Sequence, residues 1–245
     1  MNEKFLKEKK SQKILLGVMA ALIFILAVCA LSTADTVIPE NALTQCEPER
    51  IQDLDNGVQQ IYFNIDQKNE GDSLVFFTSH QYVDVFADGE RIYSLNQNGG
   101  VWGHTTGNVW SFVKLPKDVK QMEICLTPCY PEVAGQMREY YIGSEHEIYR
   151  TLLRRSMPEI VISVFIFIVG VFIALYWVVI HKSSQIDGTL LYLGTFSILL
   201  GLWSANETDV AALVLLNRQA SAFAAFALLM VMPLAFIMFI KSFLD

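Results

Sequence analysis

Charge is what this sequence is short of. Asp, Glu, Lys and Arg make up 18% of its 245 residues, against roughly a quarter in ordinary soluble domains. Part of the chain is therefore not built for water. Histidine is also scarce: His80, His104, His146 and His181 are scattered, and no His-Glu-x-x-His occurs. A Gly-x-Ser-x-Gly elbow and a Walker loop are missing too, so no catalytic residue is assigned. Asp84 and Glu90 could pair as glycosidase carboxylates, but cross-strand neighbours of a hairpin account for them equally well. No basic stripe interleaved with aromatics is present, and the net charge is -7. Nucleic acid is therefore excluded as a partner.

Cysteine is equally sparse. Cys29, Cys46, Cys125 and Cys129 lack the spacing and the histidine partners of a metal site, so no metal and no cofactor is expected. A Cys46–Cys129 disulfide is conceivable but unforced. Cys125, among apolar neighbours, reads as core.

What is present in excess is apolar residue, 53% of the chain, gathered in two places. Residues 1–13 form a basic N-terminus holding Lys4, Lys7, Lys9, Lys10 and Lys13. Residues 14–32 follow without a charge, long enough at about 1.5 Å per residue to cross a bilayer core of roughly 30 Å. They read as an anchor, with a cleaved signal segment as the rival. A second apolar region occupies 160–245, with spans at about 160–180, 188–205 and 220–240, the last kinked by Pro233. Between spans lie Lys182 and the polar break Asn206-Glu207-Thr208-Asp209, and Lys241 caps the last span. The lysine flanks place the N-terminus in the cytoplasm and 35–158 outside it, in a multi-pass protein of the cell membrane. Glu207 and Asp209 then read as a solvated outer loop, with a polar contact to the outer domain as the alternative. Arg150, Arg154 and Arg155 fall on the outer side, in or beside a juxtamembrane connector at 151–159. They contact lipid headgroups or form a solvated helix face.

Residues 35–150 read as an extracytoplasmic β-sandwich or jelly roll. Short runs rich in Val, Ile, Phe and Tyr occur at 58–65, 73–79, 82–87, 91–95, 109–115 and 123–127. Asp88-Gly89 marks a type I′ hairpin. The most distinctive stretch runs from Asn98 to Trp110, a glycine-rich loop with two tryptophans and a histidine. Trp102, His104, Thr105, Asn108 and Trp110 could stack on and hydrogen-bond a sugar or other flat ligand. Packing of the loop and of the sandwich core explains the same residues.

The string from Trp102 to Pro116, together with Tyr140-Tyr141-Ile142-Gly143 and Gly201-Leu202-Trp203 with Glu207, resembles bacterial seven-transmembrane receptors with diverse intracellular signalling modules. That resemblance implies an N-terminal apolar segment, a jelly-roll-like outer domain, a helix bundle and a cytoplasmic output. The output would be a diguanylate cyclase or a histidine kinase, and the receptor a homodimer. No GGDEF string occurs, and the chain stops at Asp245 where the resemblance implies more helices. The expectation is therefore a partial sensor, itself no enzyme, whose partners are the lipid bilayer and an outer small molecule or glycan. The alternative is a membrane-anchored interaction or glycan-binding module without signalling output. Paired broken helices of a transporter are not seen.

Overall fold

Alternation of apolar side chains decides which face of each strand is buried, and here it builds two sheets around one core. The structure, a computed structural model, describes residues 44–65, 72–96, 103–135, 139–184, 188–215 and 217–244. The basic N-terminus, the apolar stretch 14–32, Cys29 and Trp102 lie outside the described residues. Within the described residues the strands are β1 (Thr44–Gln45), β2 (Arg50–Asp53), β3 (Gln59–Asn64), β4 (Ser73–Ser79), β5 (Gln81–Ala87), β6 (Glu90–Leu95), β7 (Asn108–Lys114), β8 (Gln121–Pro128) and β9 (Tyr140–Gly143). They form antiparallel sheets of order β1-β9-β4-β7 and β2-β3-β8-β5-β6. The expected strands at 58–65, 73–79, 82–87, 91–95, 109–115 and 123–127 are all present within a residue or two. At the Asp88-Gly89 turn both residues have positive φ, 46° and 89°, as a type I′ turn requires. The Asp88 carboxylate also accepts the Gln121 backbone N–H at 3.0 Å.

The shared core takes Ile61 and Phe63 from β3, Leu74 and Phe76 from β4, Val83 and Val85 from β5, and Met122, Ile124 and Leu126 from β8. Tyr140 of β9 meets Phe63 edge-on at 4.9 Å. This register corrects the reading of Cys125. Core positions on β8 are the even-numbered ones, so Cys125 lies on the opposite face, paired with Gln60 and Asp84. Cys46, Cys125 and Cys129 are free thiols.

The four-stranded sheet is buried on both faces. Its second face carries Val75, Trp110 and Tyr141, packed with Ile148 and Leu152 and with Ala212. Ile148 and Leu152 belong to the first turns of helix α1 (Glu145–Ser184), and Ala212 to the short helix α3 (Asp209–Val214). That is why β4 is buried at four successive positions instead of alternating. Among the described residues, 206–227 accordingly group with 44–156 in one compact unit.

The second unit contains residues 157–205 and 228–244. It holds the remainder of α1, helix α2 (Thr189–Asn206) and the later part of helix α4 (Arg218–Leu244). Helices α1 and α2 meet backbone to backbone. A Cβ on Gly170 would lie 2.6 Å from the Ile198 nitrogen, and one on Gly201 would lie 2.5 Å from the Phe167 nitrogen. Ser163 and Ser204 share a hydrogen bond of 2.8 Å between them. Close contact through small residues and hydroxyl pairs is how apolar helices associate where no hydrophobic gain is available. Helices α2 and α4 meet through Thr189 and Ser242, 2.7 Å apart, and through Phe196 and Phe236. Among the described residues three helices, α1, α2 and α4, are long and apolar enough to cross a membrane.

Candidate functional site

Trp110 decides how the β domain holds its helices. Strand alternation turns Val113 into the shared core and Trp110 onto the other face. There the indole is 6% exposed and packs against Phe77 and Tyr141. A buried indole N–H needs an acceptor. It donates to Asp209 Oδ1 at 3.1 Å, while Ser156 of α1 donates to Oδ2 at 3.2 Å. Asp209 opens α3, where the helix dipole favours a carboxylate, and Thr208 caps that helix by accepting the Ala211 N–H. The expected solvated loop is corrected here. Glu207 is exposed, but Asp209 is bonded to both a strand and a helix.

A second attachment lies next to the first. Arg218, at the start of α4, donates to the Asn108 carbonyl at 3.4 Å and to the Ala212 carbonyl. Gln219 donates to the Gly103 carbonyl at 3.5 Å. Gly107 has φ +69°, and a Cβ there would sit 2.7 Å from the Arg218 carbonyl oxygen. Only glycine satisfies both the left-handed backbone and the close approach. The segment 103–110 is thus bound to residues 209–219 along most of its length.

On its other side the same segment is bound to the link between the two sheets. His80 alone joins β4 to β5, with φ 52°. Its backbone N–H donates to the Gly107 carbonyl at 2.9 Å. Its Nδ1 lies 2.5 Å from Thr105 Oγ1, which accepts the Gly107 N–H at 3.1 Å. Burial holds the His80 imidazole below the ordinary histidine range. Thr106 donates to the Gln81 carbonyl, and Tyr82 to the His104 carbonyl. Asn108 accepts from Ser79 at 2.7 Å.

Of the residues singled out from sequence, Thr105, Asn108 and Trp110 come together along one segment, each hydrogen-bonded within the chain. His104 is exposed at the rim beside them. Asp209 was legible only as a possible polar contact to the outer domain; its partners, like those of His80, Gly107, Ser156 and Arg218, were not, because 25 or more residues separate each from what it binds, apart from the local Gly107–Thr105 and Arg218–Ala212 bonds. The one available signal was an acid at the edge of an apolar span.

A smaller polar group ties β9 to α1. The Tyr141 hydroxyl and Arg155 both donate to Glu139 Oε2, at 2.5 and 3.1 Å. The tyrosine bond, with help from Arg155, holds the Glu139 carboxyl below the usual carboxylate range. Burial and the Glu139 bond push the Tyr141 phenol up to about 12. Among the described residues no group of three or more His, Cys, Asp or Glu side chains comes together as metal ligands.

No protein-family model matches the chain, and no curated protein matches it. Among solved structures it is similar to the tandem CBM51 modules of Sp3GH98, the family 98 glycoside hydrolase from Streptococcus pneumoniae SP3-BS71. The identity is 16%, over 36% of this chain and 29% of that one, with a TM-score of 0.29. The chain therefore spans less than a third of the length of that structure.

Proposed function

We propose that this chain is the receiving part of a membrane-bound sensor. In this reading α1, α2 and α4 cross the bilayer, and the β domain is a jelly-roll-like sandwich outside the cytoplasm. The sandwich binds a small molecule or glycan at the rim beside His104 and Asn108. The helices relay the event to a cytoplasmic output, of the cyclase or kinase type that the resemblance to seven-transmembrane receptors implies.

The observation that carries this reading is the bonding of Asp209 to both Trp110 and Ser156. A ligand shifts an equilibrium only by its differential affinity for two arrangements. A strand bonded to the starts of two helices gives such a difference a route into them. A domain merely tethered beside a membrane would not need that polar attachment.

The test uses the whole chain in lipid nanodiscs. A thermal-shift screen of monosaccharides, oligosaccharides and small metabolites should yield at least one stabilising ligand. Spin labels on α4 should then change their mobility on binding, and Asp209→Asn should reduce that change at similar ligand affinity. Binding without any response at α4 supports the interaction-module alternative. A folded chain that binds nothing contradicts the proposal.

A further inference from the structure

The hydrogen bonds around His80 have a direction. Thr105 Oγ1 accepts the Gly107 N–H, so its own proton has to go elsewhere. Among the described residues the acceptor within reach is His80 Nδ1, at 2.5 Å. With the Thr105 proton directed at Nδ1, neutral His80 carries its hydrogen on Nε2, and the donors line up from Gly107 through Thr105 to His80. Adding a proton at Nδ1 reverses the last link. Two N–H groups then converge on one hydroxyl oxygen, and the Thr105 proton loses its acceptor. The Gly107 peptide stands at the end of this relay, against Arg218.

Among the described residues no carboxylate pairs with the His80 ring. From the loop after β8, the Tyr130 ring meets His80 edge-on at 5.9 Å, and the Cys129 N–H bonds the His80 carbonyl. Glu132, farther along that loop, is exposed. From β5 comes Tyr82, and from the 103–107 segment the exposed His104. Beyond Gly107 the charged group is Arg218, of the same sign.

We propose that the His80 link is a proton-responsive element. In acid it loosens the hold of segment 103–110 on residues 209–219, and the chain responds to the pH of the compartment its β domain faces. The biological use of this response rests on the sensor reading, but the response itself is a property of the β domain and its attached helix segments. A failed ligand screen leaves it standing, and a missing titration leaves ligand relay standing.

Trp110 is the natural reporter. The experiment uses the whole chain in nanodiscs with Trp102, Trp177 and Trp203 replaced by phenylalanine, so that Trp110 alone emits. Trp177 must be removed because it stacks on His181 at 4.2 Å and would report that histidine instead. Emission followed from about pH 8 to about pH 4.5 should change once, with a midpoint below about 6.5. His104→Gln should keep this change and His80→Gln should abolish it. Thr105→Val should leave the His80 ring proton titrating by NMR while Trp110 falls silent. An unchanged transition in His80→Gln, or no transition in the parent chain, overturns the proposal. Should His80→Gln fail to fold, the parent and Thr105→Val decide. A titrating His80 with no response at Trp110 in the parent, or an undiminished response in Thr105→Val, likewise overturns it.

Discussion

The indole N–H of Trp110 and the carboxylate of Asp209 lie 99 positions apart in the chain and 3.1 Å apart in space. Around this bond the four-stranded sheet gains a second buried face, and a polar turn between apolar helices becomes part of a β domain.

Breaking that bond from either side should cost alike. Trp110→Phe removes the donor and leaves one Asp209 oxygen short of a partner, a loss of about 1–3 kcal/mol. Asp209→Asn keeps one accepting oxygen and turns the other into an NH2 donor, so only one of the two bonds survives as it stands. In denaturant unfolding of the detergent-solubilised chain, the double variant should lose less than the two single losses added together.

Gly107 and Gly89 both have positive φ, but their surroundings differ. A Cβ on Gly89 meets nothing within 4 Å, while one on Gly107 meets the Arg218 carbonyl oxygen at 2.7 Å. Gly89→Ala should cost only the backbone strain of about 1–2 kcal/mol. Gly107→Ala should cost more, and protease cutting near Arg218 should speed up only in that variant.

In the helical unit, Gly201→Leu should push α2 off α1, because the first added carbon already falls 2.5 Å from the Phe167 nitrogen. Thermal unfolding in detergent should shift clearly downward. Leu202→Ala, on an exposed side chain, should shift it little.

Two pH windows follow from β9. The Glu139 carboxyl is held low, so its contribution is full above the ordinary carboxylate pKa and is lost as pH falls through the depressed value. The Tyr141 phenol is raised to about 12, so its contribution is full below the ordinary tyrosine pKa and is lost as pH rises through about 12. Because Glu139 and Arg155 are about half exposed, at 50% and 52%, the acid effect should be small. Absorbance near 295 nm follows the phenolate, and Glu139→Gln should lower the Tyr141 midpoint.

The β hairpins and the long helices were legible because each rests on local pattern. Val83, Val85 and Ala87 alternate with polar or half-exposed positions, and Asp88-Gly89 announces its turn. β2 was not legible, since all four of its residues are exposed and no alternation marks it. β9 is buried at three successive positions, because α1 covers the face that would otherwise carry polar residues. The same cover explains Trp110. A tryptophan in a strand says that something is buried, but not that the burial lies on the outer face against a helix and Ala212. Thr105 and Asn108 were recognised as polar groups with work to do. Their partners, His80, Ser79 and Arg218, could be found only by folding.

The most direct measurement of the coupling is hydrogen exchange by mass spectrometry on the full chain in nanodiscs, comparing the parent with Trp110→Phe. The account predicts that amides across residues 209–219 exchange faster, by about tenfold for each 1.4 kcal/mol lost, along with those of β7. Faster exchange confined to β7, with 209–219 unchanged, would contradict it.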